Sequence, residues 1–241
     1  MRKYSRIIGT GGYLPEKVMT NHDISEKVDT TDVWIYERTG IRTRRIAADH
    51  ETSSSMAEIA AREALDAANL DADDIDLIIT ATSTPDRIFP STACLLQQRL
   101  GVRNCAAFDV QAACSGFIYG LSIAEQYIKT GVFKNILLIG AEVQSTAMDL
   151  TNKGRDTAVI FGDGAGAAII SATDEDRGIL STHMHSEGKH LKELWVESPA
   201  SNRGYPRITE EHLQRPSWRL MNSDVLLLNH YGLVPKSIGN G

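Results

Sequence analysis

Cys114 stands in "FDVQAACSGF", where a run that reads as a buried strand (Phe108-Asp109-Val110) gives way to small residues and a helical pattern begins. A thiol at a helix N-terminus faces backbone N–H groups without partners and the positive end of the helix, and both favour the thiolate. Ala112, Ala113, Ser115 and Gly116 leave room for a substrate, and a strand-turn-helix context is mechanically that of a nucleophile elbow. A small buried cysteine that fills space is the competing reading. Arg38, Arg42, Arg44 and Arg45 cluster beside Trp34. A flat aromatic with guanidiniums nearby can stack an adenine and pair phosphates; equally, such arginines solvate a loop and bond carboxylates. His183, His185 and His190 have the outline of a zinc site, but no cysteine or carboxylate spacing supports it, so ordinary loop histidines are expected. "FGDGAGA" leads into the strand-like "AAIISA" and not into a helix, so it is read as a tight turn between paired strands rather than a pyrophosphate cradle.

These residues need a scaffold, and the chain supplies one in alternating pieces. "YSRIIGTGGYLP" reads as a strand entering a glycine turn, and "TDVWIYERTGIRTRRIA" as a short helix followed by a basic loop. In "SSSMAEIAAREALDAANL", Ser55 and Glu58 have capping-box spacing, and Met56, Ile59, Ala60, Ala64, Ala67 and Ala68 form an apolar stripe. "IDLIITATST", "CAAFDV" and "NILLIGAE" read as buried strands, too continuously apolar to be half-exposed. "STACLLQQRLG" is a helix with a serine cap and a terminal glycine; from Cys114 a second helical spacing runs through Phe117, Leu121, Ala124 and Ile128 to Gly131. Buried strands alternating with amphipathic helices predict an α/β fold with a largely parallel sheet. Past residue 175 the pattern weakens, and residues 187–220 are polar, with prolines at 199, 206 and 216.

The chain has 241 residues, of which 42% are hydrophobic and 23% charged, with a mean hydropathy of -0.21. This is the composition of an ordinary globular protein. A formal charge of -6 with no basic tract argues against nucleic acid as a partner. Neither a cleavable leader nor a run of roughly twenty apolar residues is evident, so no membrane insertion is expected. The cysteines, Cys94, Cys105 and Cys114, are odd in number and lack CxxC spacing, which predicts reduced thiols in a cytoplasmic protein.

The stretches "IIGTGGYLPEKVMTN", "WIYERTGIRTRRIA", "DLIITATSTPDRIFPSTACLLQQRLG", "FDVQAACSGFIYGLSIAEQYI" and "GRDTAVIFGDGAGAAII" together resemble the 3-oxoacyl-[acyl-carrier-protein] synthase III family in its own order across most of residues 1–186. The resemblance implies a thiolase-like layered fold, with residues 1–174 as the half that carries the nucleophile and 175–241 as the start of a second half, incomplete or diverged. It implies that Cys114 is the acylated nucleophile, that Trp34, Arg38 and Arg155 contact the nucleotide of coenzyme A, and that Phe89 crosses a homodimer interface to the partner's acyl pocket. The implied reaction is decarboxylative condensation of acetyl-CoA, or another short acyl-CoA, with malonyl acyl carrier protein, initiating type II fatty acid synthesis. Coenzyme A enters as a thioester substrate, with no cofactor and no metal.

The resemblance is incomplete at the end of the chain. The family's second half brings a histidine in a "HQAN"-like segment, an asparagine and a late glycine-rich loop, and "NSDVLLLNHYGLVPKSIGNG" matches none of them. His230 lacks a following Gln-Ala-Asn and receives no catalytic role. Two other functions therefore stand beside the first: a related thiolase-fold acyl-CoA transferase, and a catalytically incomplete, dimer-forming fragment.

Overall fold

The computed structural model describes residues 4–196 and the backbone of residues 221–222. The chain forms two compact units whose segments alternate along the sequence. The first is drawn from Met1–Glu16, Ala47–Val143 and Asp163–His185, the second from Lys17–Ile46, Gln144–Gly162 and Ser186–Gly241.

The first unit is an α/β layer structure, as expected. In chain order it contains β1 (Tyr4–Tyr13), a long helix Ser53–Ala68, strand Leu77–Ala81, helix Thr92–Leu100, strand Ala106–Val110, helix Gly116–Lys129, strand Asn135–Val143 and strand Asp163–Thr173. The second unit contributes strands Lys17–Thr20 and Thr43–Ile46, helices Asn21–Ser25, Asp32–Thr39 and Arg155–Ala158, and the short strands Trp195–Val196 and Met221–Asn222. Numbered together in chain order, the strands are β1 to β9 and the helices α1 to α6.

The sheet of the first unit has the order β1-β7-β6-β4-β5. β4 runs parallel to β5 and β6, whereas β7 is antiparallel to both β1 and β6. The sheet is thus mixed, which corrects the expectation of a largely parallel one. Parallel neighbours need a crossover helix between them, and α4 and α5 supply these among β4, β5 and β6. Between β6 and β7 the chain instead detours through residues 144–162 of the second unit.

Two cores lie on opposite faces of this sheet. Ile78, Leu137, Ile139 and Ile169 pack with Ala57, Ala60, Ala61 and Ala64 of α3 and Leu96 of α4. Their strand neighbours Leu77, Ile79, Ile136, Leu138 and Ile170 pack with Ala124 and Ile128 of α5. Adjacent strand residues face opposite ways, so a strand buried on both sides must be apolar throughout. That explains the unbroken runs of β4 and β6.

The glycines of "GTGGY" are not a turn. They lie inside β1, where a Cβ on Gly9 would sit 2.3 Å from the Ala64 carbonyl oxygen and one on Gly11 2.2 Å from that of Ala60. Here the glycines let α3 approach the strand backbone to backbone. Gly11→Val is therefore expected to destabilise the protein by about 3 kcal/mol, because neither partner is a side chain that can swing aside. A urea midpoint that falls at unchanged slope would show it; an unshifted midpoint would contradict the packing.

Other expectations shift similarly. Gly164 and Gly166 of "FGDGAGA" lie within β7, between β1 and β6, while the preceding "RDTA" is helix α6 and not strand. α3 is capped one turn earlier than expected, by Thr52 with Ser55; Glu58 pairs with Arg62 and Arg99. The basic loop contains a strand, β3, paired with β2. Ser91 and Gly101 cap α4 as expected.

Candidate active site

Cys114 lies at the junction of β5 and α5. The end of β5 is held beside β4 by Thr82 N–H donating to the Val110 carbonyl at 3.3 Å. The chain then bends through Ala112 (φ -141°, ψ 28°) and Ala113, whose φ is 45°. A left-handed alanine is costly and persists only where its surroundings enforce it, most often at functional turns. A 3-10 turn over Ala113–Ser115 leads directly into α5. Gly116 fits this entry closely, since a Cβ there would be 3.0 Å from Ala81 Cβ. Ser115 makes no side-chain cap, so the first amides of α5 keep their donors available.

The thiol of Cys114 is exposed, while Cys94 and Cys105 are each half-buried. Among the described residues, therefore, Cys114 fills no packed space. Cys94 Sγ lies 3.7 Å from the Ala107 carbonyl, and Gln97 Nε2 donates to Cys105 Sγ at 3.4 Å. Burial pushes the Cys105 thiol up from its ordinary value. Limited iodoacetamide at neutral pH is expected to label Cys114 first and Cys105 last. Peptide mass spectrometry reads the order, and earlier labelling of Cys105 would contradict it.

Phe89 belongs to the same unit, on the loop joining β4 to α4. It is 82% exposed and its neighbour Ile88 66%; the Phe89–Pro90 bond is cis. Half-buried carboxylates hold the loop on several sides. Glu142, at the end of β6, accepts from Ser83 N–H at 2.7 Å, from Ser83 Oγ at 2.9 Å and from Thr84 Oγ1. Asp86 accepts from Ser54 N–H and Oγ at the start of α3. Asp109, inside β5, accepts from the Thr92 and Ala93 amides at 2.7 and 2.8 Å and so ties α4 to the strand that leads to Cys114. Sequence reasoning missed these three carboxylates. Asp109 within the apolar "AAFDV" was the available signal, because a carboxylate in such a strand requires donors.

Trp34, Arg38 and Arg155 come together in the second unit. Trp34 and Arg38 share one face of α2, four residues apart, with the Arg38 guanidinium 4.2 Å from the indole centroid. Arg155, the first residue of α6, places its own 5.0 Å from the same ring. It also contacts Asp156 at 3.3 Å and the Asp29 carbonyl at 3.5 Å. Arg42 and Arg44 of the basic cluster do not join them: Arg42 lies over Tyr36 at 3.9 Å, and Arg44 is buried. A half-exposed indole with paired guanidiniums suits a flat ring bearing phosphates.

The histidines do not converge. His183 Nε2 meets Ser181 Oγ at 3.2 Å, and His190 pairs with Glu193. Among the described residues, no group of three His, Cys, Asp or Glu side chains is placed to hold a metal, and no helix is long and apolar enough to cross a membrane. His230 and the final segment lie outside the described residues.

The family model for 3-oxoacyl-[acyl-carrier-protein (ACP)] synthase III matches residues 108–188, which include Cys114 and Arg155. Beta-ketoacyl-[acyl-carrier-protein] synthase III of Methylococcus capsulatus is 61% identical over 202 residues, covering 84% of this chain and 62% of that protein. The Xanthomonas campestris pv. campestris protein of the same name is 57% identical over 194 residues, covering 80% and 59%. The crystal structure of 3-oxoacyl-[acyl-carrier-protein] synthase III from Aquifex aeolicus superposes with a TM-score of 0.77 at 50% identity, covering 87% of this chain and 66% of that one. The chain spans about three fifths of the length of the curated relatives it matches. Over most of the described residues the chain is thus similar in sequence and in its layered α/β fold to the 3-oxoacyl-[acyl-carrier-protein] synthase III family.

Proposed function

We propose that this protein initiates type II fatty acid synthesis by condensing a short acyl-CoA, acetyl-CoA above all, with malonyl acyl carrier protein. The observation that carries the proposal is the exposed Cys114 on its strained turn at the head of α5. Its sulfur attacks the thioester carbonyl, the bond to the coenzyme A sulfur breaks, and coenzyme A leaves as the thiol with the proton from Cys114. The malonyl thioester then loses carbon dioxide. The electron pair of the broken carbon–carbon bond attacks the acyl carbonyl, and the Cys114 sulfur departs, leaving a 3-oxoacyl thioester on the carrier. This second step needs hydrogen-bond donors over the malonyl thioester oxygen. In the family these belong to the second half, which residues 175–241 would open and residues 1–174 precede.

Trp34, Arg38 and Arg155 hold the nucleotide end of coenzyme A in this reading. Phe89 serves the acyl pocket of a partner copy in a cytoplasmic homodimer, and the reaction uses no cofactor. Support for the dimer comes from β5: it is the outermost strand of its sheet, and among the described residues nothing pairs with its far edge. An open strand edge invites pairing with another chain.

The test is product formation by protein of verified intact mass. Acetyl-CoA and malonyl acyl carrier protein should give 3-oxobutyryl carrier and carbon dioxide in equal amounts. Transfer of the acetyl group to another acceptor, with no carbon dioxide released, would replace condensation with a different acyl-CoA transferase activity.

A further inference from the structure

Arg44 is a cation in the wrong place for solvent. It lies on β3 with 6% of its surface exposed, and burial lowers its pKa from the ordinary value. Among the described residues no carboxylate lies within ion-pair distance of it, and Asp23 attracts it only from further away. Its neighbours Arg38 and Arg42 both lie over aromatic rings. A buried guanidinium without a counter-ion is expensive unless neutral acceptors surround it.

Those acceptors come from separate segments. Arg44 Nη2 donates to Asn21 Oδ1 at 2.9 Å and to the Val159 carbonyl at 3.1 Å; Nη1 lies 3.5 Å from the Met19 carbonyl. Asn21, only 1% exposed, extends the chain of bonds. Its Nδ2 donates to Asp32 Oδ1 at 2.8 Å and to the Ile41 carbonyl at 2.7 Å. Asp32 is the first residue of α2, and Ile41 follows the Gly40 that closes it. Val159 caps the C-terminal end of α6. The network therefore grips both ends of the helix that carries Trp34 and Arg38, and the exit of the helix that carries Arg155.

Packing closes the same joint. Val159 and Ile35, the latter from α2, are fully buried in one small core with Ile24 and Val28. A Cβ on Gly162 would lie 2.9 Å from Arg44 Cβ, so the segment leaving α6 presses against β3. Apolar packing alone lets short helices slide. Hydrogen bonds of fixed length and direction do not.

We propose that Arg44 and Asn21 are positioning residues for nucleotide recognition, setting the spacing of α2 and α6 and with it the distance between the Trp34 indole and the Arg155 guanidinium. The inference rests on the reading of Trp34, Arg38 and Arg155 as the nucleotide-binding surface. A planar base stacks on an indole only if the opposing guanidinium stands at a set distance, and phosphate recognition by arginine is equally sensitive to direction.

The test measures the affinity of the full chain for coenzyme A by calorimetry. It compares the parent protein with Asn21→Ala, Arg44→Lys and Arg155→Ala, at a temperature where circular dichroism shows each variant folded. Asn21→Ala removes the link to α2 while Arg44 keeps its bond to the Val159 carbonyl, and so remains usable if the Arg44 variant does not fold. Asn21→Ala is expected to weaken coenzyme A binding about tenfold, close to the loss in Arg155→Ala, although Asn21 is buried away from solvent. Acrylamide quenching of Trp34, read with Trp195 and Trp218 replaced by Phe, should rise in parallel. A lower melting temperature for Asn21→Ala with unchanged coenzyme A affinity would reduce the network to a stability element and overturn the inference. If Arg155→Ala also leaves affinity unchanged, the nucleotide-binding reading falls with it; if only Arg155→Ala weakens binding, that reading stands and the positioning role falls alone.

Discussion

Cys114→Ala is expected to remove acyl transfer from acetyl-CoA, by at least about 10⁴-fold, while leaving stability nearly unchanged. The two halves of this expectation have one origin. The thiol is exposed, so its loss opens no cavity, and exposed substitutions of this kind move stability by about 0.5 kcal/mol or less. The turn itself is fixed by other residues: the left-handed Ala113, Gly116 against Ala81, and the bond from Thr82 to Val110. An alanine at 114 should therefore inherit the same backbone. Rates of coenzyme A release, measured beside thermal melts, separate chemistry from folding. A variant that melts far lower, or that keeps more than a few per cent of the rate, would return Cys114 to a structural role.

Arg155→Ala should act on the other side of the division between binding and chemistry. Its contacts within the protein are modest: an ion pair with the adjacent Asp156 at 3.3 Å, more than a third exposed on both sides, and a long bond to the Asp29 carbonyl. Exposed pairs of this kind add little stability. A charge-assisted bond to a phosphate is worth about 1.5–3 kcal/mol, so the KM for acetyl-CoA should rise roughly tenfold to a hundredfold, with little change in turnover at saturating donor. Trp34→Ala is the less discriminating variant, because Trp34 also packs against the small core of the second unit. Unchanged donor KM with a collapse in saturated turnover would place Arg155 in the chemistry.

The sequence was most legible where one physical cause dominates a segment. β4 and β6 are buried on both faces, so their unbroken apolar runs could mean little else. The turn that carries Cys114 was legible for a similar reason, since small residues between a strand and a helix favour an open turn, whereas the residues alone left the thiol's role open between attack and packing. Errors arose where a tertiary cause imitates a local one. "GTGGY" and "GDGAG" look like turns because glycine usually marks them, yet in β1 the cause is the approach of α3. The basic cluster could not be divided from sequence alone. Arg44 turns inward from β3, paired with β2, while Arg38 reaches the indole from α2. Glu142, Asp86 and Asp109 were overlooked because their partners lie 16 to 59 residues away in the chain.

The proposed reaction depends above all on covalent acyl transfer to one particular thiol. Incubation with isotopically labelled acetyl-CoA, rapid acid quenching and peptide mass spectrometry tests this directly, because the thioester adduct survives acid and its mass is diagnostic. An acetyl group on the peptide carrying Cys114, with Cys94 and Cys105 unmodified, is the predicted result. Acetylation of Cys94 or Cys105 with Cys114 clean would contradict it.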